Sequence, residues 1–390
     1  MTSLRYATAN SSQCAQLVDV LSLSFGIARD DSQMWAERVG ADNVRVLCDG
    51  DDVVAGLYAI PMGQYFGGRR VEMHGIAGVG VPPPQRGRGL ATELMRRCVR
   101  EMHRRGVALS VLYPASVPLY RRAGYEIAGG SWRISLNGKS FHSYERELEV
   151  RPFDSGDERQ VRRVYAAAAS ARQGWLDRGA YVWERTRRQE EGAETRGHVL
   201  VSGKQVEGYV FYRQRRAPMG FDLAISDMAA TTPRAMRGLW TFLADHRSLT
   251  REVRWFGGVD EPLLQLSRDH SYKIALHHHW MLRICDVAAA LEQRGYPRGV
   301  EAELHLDVCD DVVRKAGGRF RLRIADGRAE VRRGGRGTLR LDVRTLAALY
   351  SGHMGAHALS LLGRIEAKPR TIAMAASAFG LAPPSRPDMF

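Results

Sequence analysis

The sequence has no long apolar run. None approaches the ~20 residues of a membrane-spanning helix. The first nine residues, Met1 to Ala9, also lack the basic stretch followed by an apolar one that marks a signal peptide. No membrane segment and no export are expected, and a cytoplasmic protein is. Cysteine is scarce, with five in 390 residues. Cys14, Cys48, Cys98, Cys285 and Cys309 are scattered, odd in number and without metal-ligand spacing. They read as reduced thiols, so neither a disulfide framework nor a metal site is expected. His277-His278-His279 resembles a metal tract, but successive residues of a strand alternate sides, which splits the trio. Aromatic residues do not interleave with arginine as in a base-stacking groove. Nucleic acid is therefore not the expected partner, although 57 Lys and Arg stand against 43 Asp and Glu. That excess is spread over the whole chain and reads as an arginine bias, with the side chains solvated on helix faces.

What is present is an ordinary globular composition, 44% hydrophobic and 26% charged. A chain of 390 residues is too long for one ordinary domain, and two or three are expected.

The most informative stretch runs from Gly75 to Ala91, GIAGVGVPPPQRGRGLA. It reads as a buried strand through Val81, a break at Pro82-Pro83-Pro84, a glycine-spaced turn and a helix start. Arg86-Gly87-Arg88-Gly89-Leu90-Ala91 fits R-x-x-G-x-A. Small residues there let the backbone approach a ligand closely. The first amides of the following helix lack intrahelical partners and can point at a pyrophosphate. From Leu90 to Arg105, Leu90, Ala91, Leu94, Met95, Cys98 and Met102 share one helical arc, and Arg96, Arg97, Arg100 and Arg104 share the opposite one. Val107 to Tyr113 is a continuous apolar run, as expected of a strand buried on both faces. Pro114 ends it, and Tyr120-Arg121-Arg122-Ala123-Gly124-Tyr125-Glu126 follows.

Around this stretch the periodicity predicts an α/β unit over 1–150. It opens on a strand at Leu4 to Ala7 and a helix capped by Ser11 or Ser12. Strands at Asn43 to Leu47 and Val53 to Ile60 form a hairpin, and Tyr125 to Leu136 and Tyr144 to Val150 close the unit. Residues 151–286 repeat the plan weakly. At the place of the phosphate turn they carry Ala230-Thr231-Thr232-Pro233-Arg234-Ala235-Met236-Arg237-Gly238, without R-x-x-G-x-A. Residues 287–390 read as an α+β domain, a strand meander followed by helices, with an Asp326-Gly327 hairpin turn and a proline-broken tail ending in Phe390.

Strand, R-x-x-G-x-A, helix, strand and YRRxGYE, in this order, resemble the acetyl-CoA site of the GNAT acetyltransferases. The three-part plan resembles the Eis (enhanced intracellular survival) family: an active GNAT domain, a degenerate GNAT domain and a sterol carrier protein-like domain. The resemblance implies transfer of acetyl from acetyl-CoA, without a metal, to amines of a small molecule such as an aminoglycoside or polyamine, or of protein lysines, by a homo-hexamer. It assigns Val79, Gly80 and Val81 to the pantetheine arm and Arg86, Gly87, Arg88, Gly89, Leu90 and Ala91 to the pyrophosphate. Tyr125 matches the tyrosine that protonates the departing thiolate. The carboxylate of the terminal Phe390 matches the general base. Phe25, Trp35 and Asp388 are candidates for the amine pocket. Where the family has a pocket aspartate after the first helix, this chain reads Ser24-Phe25-Gly26-Ile27, one acid fewer for a polycation. Two other classes compete: a carrier of lipid or apolar metabolite working through the third domain, and a basic DNA-associated regulator. The charged strands between Arg319 and Arg340 speak against an apolar tunnel in the third domain.

Overall fold

A computed structural model describes residues 4–144, 146–188 and 193–390. Its contacts divide the chain into two compact units. The first holds the chain up to Ala128, His279–Leu381 and Phe390. The second holds Gly129–His278 and Ala382–Met389. The expected boundary at 150 therefore differs from the fold. Within the segment after Ala128, Trp132–Asn137 and Glu149–Val150 pair inside the second unit. Alternation shows that a strand has two faces; it does not say which sheet takes it.

In the first unit, strands β1 (Arg5–Thr8), β2 (Val44–Asp49), β3 (Asp52–Phe66), β4 (Arg69–Gly80) and β5 (Leu109–Leu112) lie in that order. All pairs are antiparallel except β4 with β5, which is parallel. Helices α1 (Ser11–Phe25), α2 (Arg29–Val39), α3 (Leu90–Arg104) and the short α4 (Val117–Arg121) complete this layer. The cap of α1 is one residue earlier than the serines suggested. The Asn10 side chain accepts from the Gln13 amide at 2.9 Å, and Gln13 Oε1 accepts from the Asn10 amide at 3.0 Å, a reciprocal box. On α3 the residues Leu90, Leu94, Met95, Cys98, Val99 and Met102 are buried. They share one core with Leu57 and Ile76 of the sheet.

The second unit repeats the plan. Strand β6 (Glu126–Asn137) carries the chain into it, followed by β7 (Glu149–Pro152), α5 (Glu158–Ser170), the two-residue β8 (Leu176–Asp177) and α6 (Ala180–Arg187). Then come β9 (Thr195–Ser202), β10 (Gln205–Arg216), β11 (Phe221–Ala230), α7 (Pro233–Asp245) and β12 (Thr250–Gly257). Its strands are ordered β6-β12-β11-β10-β9-β7, with β11 and β12 parallel. Residue 145, inside one expected closing strand, lies outside the described residues.

Strand β13 (Lys273–Ile284) returns the chain to the first unit, where Met281–Ile284 pairs antiparallel with β5. Next come α8 (Val287–Gln293), β14 (Ala302–Cys309), β15 (Gly318–Ala325), β16 (Arg328–Arg333) and β17 (Leu339–Asp342). The helices α9 (Val343–Ser351), α10 (Ala356–Leu361) and α11 (Pro369–Phe379) follow. The strands form a separate sheet, β16-β15-β14-β17. Strands β14 to β16 form the expected meander, but β17 crosses over to pair in parallel with β14; the expected helices follow, with α11 added. A buried Arg283–Asp310 pair at 2.6 Å helps hold this part to the first layer. Among the described residues no helix is long and apolar enough to cross a membrane.

Glu101 locks α3 to the sheet. It takes Arg45 Nε of β2 at 2.8 Å and the Tyr6 hydroxyl of β1 at 2.5 Å. Burial alone would raise this carboxyl, but the Arg45 and Tyr6 hydrogen bonds outweigh it and bring the pKa down to about 2. Burial, with Arg105 and Arg45 nearby, pushes His74 of β4 down to about 4. Both folded values are depressed, so the unfolded chain binds more protons in acid. The His74 contribution is lost between pH 6.5 and about 4, and that of Glu101 between 4.5 and about 2. Urea unfolding is expected to show Glu101→Gln less stable by about 1–2 kcal/mol at pH 7. The gap to the parent should shrink between pH 4.5 and 3. A gap that does not change with pH would separate Glu101 from the acid response.

Candidate active site

The site begins where β4 and β5 part. They pair from Met73↔Leu109 to Ile76↔Leu112. Strand β5 stops there, whereas β4 continues to Gly80. On the other side, Tyr58↔Ala77 and Gly56↔Gly80 on β3 leave one extra residue in β4, a bulge. Backbone groups from Ala77 to Gly80 thus have no β5 neighbour. Val79 and Val81 are half-buried, Gly80 is buried, and the Val81 carbonyl accepts from Arg86 Nε at 3.3 Å.

Directly after this edge the chain turns. Gly87 and Gly89 have φ of 79° and 77°, and Gly89 is the N-cap of α3. A Cβ on either would meet nothing within 4 Å. The glycines are therefore needed for the left-handed backbone, and open space lies in front of it. The first α3 amides have no intrahelical acceptor, and Gly89 contributes no side-chain cap. Arg86, Gly87, Arg88 and Gly89 are exposed, Leu90 is buried in the core and Ala91 is half-buried. The Arg88 guanidinium reaches the Gln85 side chain. Among the described residues neither Arg86 nor Arg88 pairs with an acid. Free amides, the positive end of a helix and two guanidinium groups not neutralised by an acid fit a pyrophosphate.

The tyrosine segment departs from expectation. Tyr125 is 0% exposed, and its hydroxyl lies 2.7 Å from Ser110 Oγ of β5, itself fully buried. Burial, with Cys285 and Cys98 nearby, pushes the Tyr125 phenol well above its ordinary value. The Tyr125 hydroxyl is thus enclosed in the core and already bonded in this structure. Tyr120, on α4, packs edge-to-face on it with ring centroids 6.3 Å apart. The Tyr120 hydroxyl has no hydrogen-bond partner among the described residues, and burial raises its pKa to about 12. The sequence did carry a signal for it: a tyrosine on the helix between the apolar strand and Gly124.

The terminus is docked. The Phe390 ring is 6% exposed and 5.2 Å, centroid to centroid, from Tyr113 just past β5. It sits so close over Gly75 of β4 that a Cβ there would come within 2.6 Å of its Cε2. Gly75 is thus a socket for the Phe390 ring. Asp388 is 4% exposed and committed. Arg178 donates to it from Nε at 3.1 Å and Nη2 at 2.6 Å, and the Tyr165 hydroxyl donates at 2.9 Å. The same guanidinium holds Asp227 at 2.7 and 2.9 Å, with Tyr209 donating to Asp227 at 3.0 Å. Asp388 is therefore a tail anchor and not a wall of the amine pocket. Its carboxylate is consumed by a buried arginine that no spacing rule connects to it. The one local hint is Asp227, an acid on the buried face of a strand. Phe25 is 48% exposed, and its ring meets the Trp35 edge at 5.7 Å. Trp35 in turn meets Tyr58 at 5.1 Å. These rings form one aromatic wall.

A family model described as an acetyltransferase (GNAT) domain matches residues 5–128, and a second with the same description matches 174–284. A sterol carrier protein domain matches 287–387. A protein of Streptomyces griseus called an uncharacterized N-acetyltransferase is 31% identical over 332 residues, 77% of either chain. The N-acetyltransferase Eis of Mycobacterium tuberculosis is 26% identical over 379 residues, 90% of either chain. Among solved structures, a GCN5-related N-acetyltransferase from Anabaena variabilis has a TM-score of 0.96 at 35% identity, covering 100% of both chains. Eis1 from Mycobacterium abscessus has a TM-score of 0.81 at 20% identity over 98% of both, a likeness of fold. Two GNAT domains followed by a sterol carrier domain, with relatives above 30% identity along most of its length, make this chain a member of the Eis family of GNAT N-acetyltransferases.

Proposed function

We propose that this N-acetyltransferase takes its acetyl group from acetyl-CoA, at one site per chain, and delivers it to a primary amine of a small molecule. The carrying observation is the open β4 edge followed at once by the Gly87–Gly89 turn, with Arg86 and Arg88 beside it and not paired with an acid. The edge suits a pantetheine arm, and the turn suits its pyrophosphate. In the second unit the corresponding helix starts on Pro233, which has no N–H, beneath a Thr232 cap. That favours a single cofactor site.

The amine nitrogen attacks the thioester carbonyl; the N–C bond forms and the C–S bond breaks. The leaving thiolate takes a proton from Tyr120, which is protonated at neutral pH. The excess proton of the amine passes to the Phe390 carboxylate, directly or through water. With Asp388 committed to Arg178, the tail lends no acid to a polycation, so the Phe25–Trp35 wall favours an amine with an apolar flank. The homo-hexamer implied by the family resemblance belongs to the same reading, and sedimentation velocity tests it.

Calorimetry is expected to find one acetyl-CoA per chain, and none in Gly89→Glu. That variant sets a strained backbone and a negative charge against the pyrophosphate. Two sites per chain, or retained affinity, would refute the assignment. Tyr120→Phe is expected to keep acetyl-CoA affinity and lose about 10²-fold or more in turnover, with Tyr125→Phe much closer to the parent. The reverse ranking would return the acid role to Tyr125.

A C-terminal extension, which turns the Phe390 carboxylate into an amide, is expected to impair transfer far more than acetyl-CoA binding. Asp388→Asn should do the same more mildly, because it loosens the tail while keeping Arg178 paired with Asp227. Native turnover in the extended protein would remove the terminus as base.

A further inference from the structure

In the second unit β11 and β12 pair in parallel only from Phe221↔Thr250 to Ala224↔Arg254. Beyond Ala224 they part, as β4 and β5 do beyond Ile76. The wedge between them is a cavity of about 220 Å³, with Ile225, Met228, Leu239 and Trp255 among its walls and Pro387 of the tail at its border. A nucleotide has no cradle there. Besides the Pro233 start, the Thr232 side chain already takes the Ala235 amide at 3.2 Å, and Arg234 is held by Glu207 at 2.9 Å.

The wall carries a carboxylate short of counter-charge. The Glu261 side chain is 11% exposed and accepts from the Leu263 amide at 3.3 Å. Arg172 stays 3.8 Å away and is shared with Asp260 at 3.7 Å. Burial pushes the Glu261 carboxyl up, with Arg172 and the Leu263 amide pulling against it. The other acid of the wall, Asp227, is already matched by Arg178.

We propose that this wedge is a second, non-catalytic amine site, which binds a small organic cation with its ammonium on Glu261 and its apolar body between the parted strands. The volume suits roughly ten non-hydrogen atoms, since a cavity of about 150 Å³ holds benzene. The Trp255 ring of the wall suits a cation as well as an apolar body, whereas Trp175 already lies under the Arg172 guanidinium at 5.8 Å. Asp227 and Pro387 also make the site a neighbour of the tail anchor, because Asp227 shares Arg178 with Asp388. The inference rests on the second unit alone and does not need the catalytic reading.

The test is calorimetric titration of the full chain, without acetyl-CoA, with 2-phenylethylamine and with the neutral 2-phenylethanol. Saturable amine binding is expected. It should weaken at least about tenfold in Glu261→Gln, which keeps the Leu263 cap, and in Ala230→Leu, which fills the wedge. Trp35→Ala should leave the Glu261-dependent component of amine binding intact, and the alcohol should bind at least about tenfold more weakly. Amine binding that survives both wedge variants overturns the proposal, as does alcohol binding of equal strength or no saturation by about 5 mM. Acetyl-CoA titrated into the same samples reads the catalytic site separately. A chain that binds acetyl-CoA but no amine at the wedge keeps the transferase reading and loses this one.

Discussion

Two parallel strands that pair for four residues and then separate are the constraint on which this molecule is built. A parallel pair joined through a helix is normally buried and fully bonded. Here β5 ends at Leu112, and β4 runs on to Gly80 with one backbone edge open. An open edge inside a protein must find partners. In the first unit the adjoining turn supplies the rest of a binding site: free amides, a helix N-terminus and two guanidinium groups. In the second unit the same parting persists, but proline and threonine close the helix start. One backbone device therefore leaves an open edge before a glycine turn in one unit and a closed-ended wedge in the other.

The tail is held by a different kind of force. Arg178 has 0% side-chain exposure and serves two carboxylates at once. Buried ion pairs of this sort add little net stability, because desolvation offsets the attraction, yet losing one partner costs about 3–5 kcal/mol. What such a cluster provides is position. Rigid prolines at 383, 384 and 387 lower the entropy lost on holding the segment. Asp388 then fixes the backbone two residues before the terminus, and Gly75 receives the final ring. A chain end without such anchors would fray.

Much of this was legible in the sequence because it is local. R-x-x-G-x-A is a backbone instruction: glycines take the left-handed angles, and the helix begins immediately after them. The apolar arc of α3 and the apolar run of β5 follow from periodicity alone. The absence of the motif at Ala230 to Gly238 likewise anticipated a helix start unsuited to phosphate. The helix-cap shift from Ser11 or Ser12 to Asn10 shows the limit of such reading, since adjacent polar residues compete and the backbone angles choose among them.

The sequence by itself determined the repeated α/β plan, the glycine turn before α3 and the aromatic residue at position 390, because each depends on residues within one turn or one strand of each other. The tertiary structure decided that Tyr125 is closed into the core, to which unit the segment after Ala128 belongs, and with what Asp388 pairs. Tyr125 was lost to the core by a hydrogen bond to Ser110 on another strand. Asp388 was claimed by Arg178, 210 residues earlier in the chain. Partners at that separation leave no trace in spacing or composition, because burial and charge pairing act through space and not along the chain.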